Sequence, residues 1–179
     1  MTLRLAAPAP TFVSEGVWTV DSERSAARFS IRHLLVATVH GRFGTVVGSV
    51  VSDGHEVEAA GLVDVTTINT GIPARDERLR GPGFFDAAQH PTIGFRALGM
   101  RSDGGGAWVF PGELDICGET HPLTFTATVS DGDLGGAPLI QARASLSRRE
   151  HGLDWPGLIQ AGRAVVSDRV VIELDLALR

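Results

Sequence analysis

The stretch Leu123-Thr124-Phe125-Thr126-Ala127-Thr128-Val129 decides the fold class of this chain. Apolar side chains occupy every second position, and threonines stand between them. Because successive side chains of a β-strand point to opposite faces, this alternation predicts a strand with one buried and one hydrated face. Half-buried strands of this kind are typical of antiparallel sheets.

Further alternating runs lie on both sides of this stretch, separated by glycine, aspartate and proline. They fall at residues 17–20, 28–33, 41–51, 57–68, 92–97, 108–116, 140–147 and 170–176. Short strands at this spacing are typical of a sandwich or a barrel. We therefore predict an all-β, antiparallel fold, an extended β-barrel of about eight strands. Within residues 41–51, the pattern predicts Phe43, Val47 and Val51 on one face.

One segment, between Asn69 and Pro91, interrupts the β pattern. Thr70 is suited to cap a helix, and Pro73 is suited to a first helical turn. Gly81 fits the position just after a helix. These signals predict a short helical insert around residues 72–88.

The length of 179 residues fits a single domain. Residues 1–13, rich in proline and alanine, are predicted to be a flexible lead-in, and residues 14–179 the domain. The first ten residues lack the sustained apolar segment of a secretory signal, so we expect a cytoplasmic protein. The only cysteine, Cys117, excludes an intrachain disulfide.

Charge and histidine spacing argue against several classes of partner. The formal net charge is −5, and no basic run exceeds the pair Arg148-Arg149, so a nucleic-acid surface is not predicted. The 6 histidines show no metal-ligand spacing, so no metal site is predicted.

A barrel of about eight strands either fills its interior with side chains or holds a small ligand. Large candidate inward residues are Phe29, Phe43, Phe95 and Phe125. Several other candidate inward positions are small: Ala97, Gly112, Ala127, Ala142 and Ala144. Small residues leave a cavity, or they make room for the phenylalanines. The pattern alone leaves both possibilities open.

A set of motifs in fixed order resembles the YceI-like, polyisoprenoid-binding family. It covers the chain from about residue 16 to the C-terminus and comprises Trp18-Thr19-Val20-Asp21, Ser25 to Leu34, Gly41-Arg42-Phe43, Ile68-Asn69-Thr70, Arg75 to Arg80, Phe84-Phe85-Asp86, His90 to Phe95, Gly112 to Leu123 and Arg148 to Leu153. The resemblance implies a lipocalin-like barrel with an apolar tunnel for a polyisoprenoid chain. It also implies a homodimer. Because the sequence contains no nucleophile motif, we expect no catalysis, and we expect no cofactor apart from the bound lipid.

On this basis we expect a lipid carrier or store for a prenyl quinone or prenyl phosphate. The expected ligand-binding residues are Phe29, Ile31, His33, Leu34, Phe43, Arg75, Asp76, Phe84, Phe85, Phe95, Leu114, Ile116, Phe125 and Leu146.

The polar members of this set have two interpretations each. Arg75 either pairs with neighbours on a solvated helix or meets a pyrophosphate or quinone head, since guanidinium suits phosphate. Asp76 either orients an arginine or caps a neighbouring loop. His33 is either hydrogen-bonded at a strand end or contacts a ligand headgroup.

Two rival functions remain open at this stage. One is an enzyme in which His33 and a carboxylate, Asp76 or Asp86, act as an acid–base pair on a ligand in the cavity. The other is a stress or interaction module that binds no lipid and has a filled barrel.

Overall fold

The computed structural model describes residues 12–33, 36–132, 136–154, 159–160, 163–164 and 166–179. The strands are β1 (Gly16–Thr19), β2 (Ala26–His33), β3 (Ala37–Phe43), β4 (Val46–Ser52), β5 (Val57–Asp64), β6 (Thr92–Ala97), β7 (Arg101–Ser102), β8 (Trp108–Ile116), β9 (Glu119–Gly132), β10 (Gly136–Ser147), β11 (Ile159–Gln160), β12 (Arg163–Ala164) and β13 (Val166–Ala177). A 3-10 turn (Val65–Thr67) and one α-helix, α1 (Pro73–Arg80), lie between β5 and β6.

Eleven of these strands form one sheet, in the order β1-β4-β5-β6-β8-β9-β10-β13-β2-β3, with β7 paired to β8. Neighbouring strands in this sheet are antiparallel. The predicted all-β, antiparallel, barrel-like class is confirmed. The sheet has more strands than the predicted eight or so, because the short β7 joins it and residues 37–52 form two strands.

The sheet curls until β1 meets the end of β13. Thr19 and Arg179 exchange two backbone hydrogen bonds of 2.9 Å, and Val20 forms a bridge with Leu178. These contacts join one end of the strand order to a strand near the other end, so the apolar faces of the strands turn inward around a common interior.

The alternation that predicted the fold is realised on β9. Leu123, Phe125 and Ala127 are buried, whereas Thr124 and Thr126 are exposed. The same rule holds on β8, where Trp108, Phe110, Gly112, Leu114 and Ile116 are the buried set. Burial of alternate side chains therefore sets the register of each strand against the core.

The predicted facing of residues 41–51 is wrong. The predicted strand is interrupted at Gly44, between β3 and β4. There the Gly44 amide donates to Thr67 Oγ1 at 2.9 Å. This break shifts the alternation, so Phe43 packs against the core while Val47 is 39 % exposed on the outer face.

The short helix is present at Pro73–Arg80, but its predicted end signals act differently. Its N-cap residue is Ile72, without a side-chain cap, and Thr70 instead binds Asp76. Gly81 closes the helix with φ −72°, so its freedom to adopt positive φ is not used.

Two residues of the predicted lead-in belong to the core. Phe12 and Val13 are each 4 % exposed, and the Phe12 ring packs edge-to-face on Phe110 with centroids 4.8 Å apart. Their apolar side chains cover one part of the sheet interior, so Phe12 and Val13 belong to the packed domain.

Candidate ligand cavity

The curled sheet encloses an apolar cavity of about 170 Å³. Its wall consists of side chains from β2, β4, β5, β6, β8, β9, β10 and β13, with Phe12 and Phe43 completing it. Arg28 stands at its margin, and the Arg28 guanidinium bonds to Asp175 on the neighbouring strand β13. Because the wall is apolar, the space suits hydrocarbon better than water.

Small side chains on adjacent strands create this space. Ala127 on β9 and Ala142 on β10 are directly opposite each other in the sheet register, and both line the cavity. Ala27 on β2 and Ala59 on β5 line it as well. Since protein interiors are otherwise close-packed, alanine at these positions leaves room that leucine or phenylalanine would occupy.

Two glycines have the opposite role, because phenylalanine rings fill the space beside them. A β-carbon at Gly41 would lie 2.1 Å from Cζ of Phe29, and one at Gly112 would lie 2.3 Å from Cζ of Phe95. Small inward residues therefore serve both alternatives left open by the sequence: some leave a cavity, and others accommodate a ring.

Four of the predicted ligand-binding residues line the cavity: Phe43, Phe95, Leu114 and Phe125. Leu34 lies outside the described residues. The remaining predicted residues are not part of its wall: Phe29, Ile31, His33, Arg75, Asp76, Phe84, Phe85, Ile116 and Leu146.

The aromatic residues of this second group pack around the cavity rather than into it. The Phe29 ring covers Gly41 and lies 5.7 Å from the ring of Phe43. Phe84 and Phe85 pack edge-to-face at 4.8 Å, and Phe85 also lies 6.5 Å from Phe43. Phe43 thus connects the cavity wall to an aromatic cluster formed by Phe29, Phe84 and Phe85.

Arg75 and Asp76 form a hydrogen-bonded loop anchor. Arg75 donates from Nε to Thr70 Oγ1 at 2.7 Å and from Nη2 to the Thr70 carbonyl at 2.8 Å. Asp76 is buried and accepts the Thr70 amide at 2.9 Å. Of the two interpretations of Asp76, the geometry matches the loop cap, and the donors of Arg75 are directed at the loop and not at the cavity.

The acid–base interpretation of His33 has no geometric support among the described residues. His33 pairs with Val166 and Ala37 in the sheet and does not line the cavity. Within the described part of the chain, no hydrogen bond or ion pair joins His33 to Asp76 or Asp86.

A polar cluster that the sequence did not single out lies inside one end of the sheet. Arg148 is 1 % exposed, and its guanidinium donates to the carbonyls of Leu153 and Ser167 and to Asp154 Oδ1. His151 is 5 % exposed and lies beside His121, with ring centroids 4.5 Å apart. Arg148 continues the inward row of β10 beyond Leu146, so period-two alternation could have identified it.

The turn at Cys117-Gly118 lies next to this polar end. Both residues have positive φ, 53° and 76°, as a tight hairpin turn requires. The Cys117 thiol contacts the carbonyl oxygens of Phe84 and Phe85 at 3.7 Å. Burial, with the charge of nearby Asp86, raises the pKa of this thiol, so the geometry does not favour a reactive thiolate.

The sequence missed much of the cavity wall. The missed apolar residues at inward positions are Phe12, Val20, Ala27, Val46, Val50, Ala59, Val63, Ile93, Phe110, Ile140, Ile172, Leu174 and Leu176. Three residues at outward positions of β4 and β5 also border the space: Val47, Ala60 and Leu62. Alternation identified many of the first set as inward-facing. Which inward residues meet at one cavity depends on the curl of the sheet, for which a single sequence carries no direct signal.

The described residues include no group of three or more histidine, cysteine, aspartate or glutamate side chains that could hold a metal ion. Across the same residues, no helix has both the length and the apolar character needed to cross a bilayer.

The fold and the cavity together define a barrel-like, antiparallel all-β protein with an apolar interior. A sequence profile of the YceI-like domain matches residues 18–178, and the chain therefore belongs to the YceI-like family. Curated relatives include a UPF0312 protein of Vibrio vulnificus, 25 % identical over 130 residues, which are 71 % of this chain and 69 % of that protein. A UPF0312 protein of Staphylococcus aureus is 25 % identical over 164 residues, which are 87 % of this chain and 93 % of the relative.

Solved structures share the fold. The crystal structure of BcnA from Burkholderia cenocepacia is similar with a TM-score of 0.79 and 20 % identity, over 89 % of this chain and 99 % of that one. A polyisoprenoid binding domain from Saccharophagus degradans has a TM-score of 0.66 and 17 % identity, over 90 % and 97 % of the two chains. At these identities the likeness concerns the fold.

Proposed function

We propose that this protein binds a long-chain isoprenoid lipid in its interior, as a carrier or store, and does not transform it. The observation that carries the proposal is the apolar cavity that Ala127 and Ala142, side by side in its wall, leave open inside the sheet. Membership of the YceI-like family supports it, as does the similarity to a polyisoprenoid binding domain.

The size of the cavity sets what it accommodates. A volume of 170 Å³ is close to that of an apolar cavity that binds one benzene ring, so it accommodates about six carbons, roughly one isoprene unit. At about 0.3 kcal/mol per heavy atom, six carbons give about 2 kcal/mol, which is weaker than millimolar affinity. A tail of about 30 carbons, if covered along its whole length, gives about 9 kcal/mol and sub-micromolar affinity. Tight binding therefore requires the interior to widen around the chain.

Native mass spectrometry of freshly purified protein tests the proposal directly. We expect an added mass that organic extraction removes and that matches a prenyl lipid. Delipidated protein should then take up a polyprenol of about 45 carbons, with a change in the fluorescence of buried Trp108. A bare-chain mass in every preparation, together with no uptake of polyprenol or prenyl quinone, would overturn the proposal.

A matched pair of variants localises the binding to the cavity. Ala127→Leu places a larger side chain in the cavity wall, whereas Thr128→Leu makes a similar change on the exposed face of the same strand. We expect Ala127→Leu to weaken polyprenol binding at least tenfold and Thr128→Leu to leave it unchanged. Equal affinities of the two variants would place the binding site elsewhere.

We also propose that two copies of the chain associate through the outer face of β1, β4 and β5. Val17 and Val51 are directly paired there and are 73 % and 41 % exposed, and Val47 pairs with Leu62, which is 40 % exposed. Neighbouring apolar side chains on one outer face favour association. Light scattering should give a dimer mass, and Val47→Asp should give a monomer. A monomer at all concentrations of the unmodified protein would refute this association.

A further inference from the structure

Two histidine rings lie against each other inside the sheet, at the polar end described above. The rings of His121 and His151 have centroids 4.5 Å apart and are tilted by 44°. The Nε2 atoms of both rings are buried and lack a hydrogen-bond partner. Nε2 of His121 lies 3.3 Å from Glu119 Oε2 without forming a hydrogen bond. Because leaving buried polar atoms unpaired is costly, the pair requires an explanation.

The histidine pair lies next to the apolar cavity. Leu114 on β8 lines the cavity, and His121 on β9 is its directly opposite neighbour in the sheet register. Side chains at directly opposite positions have their β-carbons about 5 Å apart. A chain that occupies the cavity and extends past Leu114 on this face therefore approaches His121 and the His151 ring packed against it.

The hydrogen bond that His151 makes through Nδ1 determines whether its unpartnered Nε2 is a donor or an acceptor. Nδ1 lies 2.7 Å from the carbonyl oxygen of Ser147. A carbonyl oxygen only accepts hydrogen bonds, so Nδ1 must carry the proton that it donates. In the neutral ring, Nε2 is then an acceptor without a proton. The buried atom needs a donor, which an ether, an ester or a quinone carbonyl cannot supply.

We infer that Nε2 of His151 accepts a hydrogen bond from a hydroxyl group at the head of the bound lipid. This inference rests on the proposed function and adds the class of headgroup: an isoprenoid alcohol or a quinol, whose tail lies in the cavity. The His121 ring packs against His151 and closes the polar side of the site. Leu114 marks the boundary between the apolar and polar parts.

The first experiment needs no variant. Delipidated protein is titrated with a polyprenol and with the methyl ether of the same polyprenol, which has the same tail and no O–H donor. A quinol and its quinone form the second pair, measured without oxygen. One hydrogen bond to a buried group predicts that each donor binds about fivefold to tenfold more tightly than its partner. Comparing the two donors shows whether an alcohol or a quinol fits better.

A conservative variant tests the assigned atom. His151→Asn keeps an amide that can reach the Ser147 carbonyl but removes the Nε2 position. We expect this variant to bind alcohol and ether equally, with the affinity that the unmodified protein has for the ether. His55→Asn, at an exposed turn position, is the matched control and should keep the preference.

The outcomes separate this inference from the proposed function. If alcohol and ether bind the unmodified protein equally well, an enclosed water satisfies the histidines and the headgroup assignment fails, while lipid binding stands. A preference that persists in His151→Asn also overturns the assignment, because its cause is then steric. If no prenyl compound binds at all, the proposed function itself fails.

Discussion

The ring of Phe95 on β6 covers Gly112 on β8 so closely that no side chain fits at residue 112. A β-carbon there would lie 2.3 Å from Cζ of Phe95 and 2.4 Å from the carbonyl oxygen of Arg96. Phe95 also lines the cavity and packs edge-to-face on Phe125, with centroids 4.9 Å apart. The absence of a side chain at one residue therefore sets the position of a cavity wall.

Gly112→Ala should lower both stability and ligand binding. The backbone oxygen of Arg96 cannot move aside easily, so the Phe95 ring must shift toward the cavity. Overpacking of this kind costs about 1–3 kcal/mol, measurable by urea denaturation. Gly99→Ala is the control, since a β-carbon at Gly99 would meet nothing within 4 Å. Equal stability of the two variants would contradict the close approach.

Phe12→Ala should destabilise the protein strongly, although Phe12 falls in the segment predicted to be a lead-in. Its ring is 4 % exposed and packs edge-to-face on Trp108 and Phe110. Removing a buried phenylalanine ring costs about 3–5 kcal/mol. Thermal unfolding would measure the loss, with Val36→Ala as the exposed control. A change as small as that of the control would show that Phe12 is not part of the core.

Arg148→Met should cost about 3–5 kcal/mol, because it removes the donor from several buried acceptors at once. The Arg148 guanidinium serves the carbonyls of Leu153 and Ser167 and the carboxylate of Asp154. Its neighbour Arg149 is half exposed, and its Nε lies as far as 3.9 Å from Asp168 Oδ1. Because exposed, long ion pairs contribute little, Arg149→Met should change the free energy of unfolding by less than about 1 kcal/mol. Chemical denaturation of the two variants makes the comparison, and similar losses would refute the structural role of Arg148.

Acid should destabilise the protein partly through Asp168. The Ser147 hydroxyl donates to Asp168 Oδ2 at 2.6 Å and holds the pKa of that carboxyl below its ordinary value. The unfolded chain therefore binds this proton more readily, so the stabilisation is complete above about pH 4 and lost as pH falls through the lower folded pKa.

The change in melting temperature between pH 5 and pH 3 measures this effect. We expect a shallower fall in Asp168→Asn, which cannot be protonated in this range. Ser147→Ala, which keeps the carboxylate but removes its hydroxyl donor, should shift the profile in the same direction. Profiles parallel to that of the unmodified protein in both variants would contradict the assignment.

Alternation along single strands was enough to predict the antiparallel all-β fold, because burial on one face imposes a period of two on the sequence. It was also enough to identify Phe95, Leu114 and Phe125 as inward residues that line the cavity. Alternation failed at Gly44, where one strand ends before the next begins. The buried side chain is therefore that of Val46 and not, as predicted, that of Val47. A local break of this kind depends on a distant contact, the hydrogen bond with Thr67.

By itself, the sequence determined the class of fold, the short helix and the apolar character of the interior, since each follows from residues close together in the chain. Only the tertiary structure decided which small residues leave a cavity and which lie under a ring. Ala127 lies beside another alanine, Ala142, on the neighbouring strand, whereas Gly112 lies beneath Phe95. That difference depends on which strands become neighbours, and the pairing of His121 with His151 depends on it in the same way. Contacts between segments far apart in sequence are set by packing of the whole sheet, for which local periodicity carries no signal.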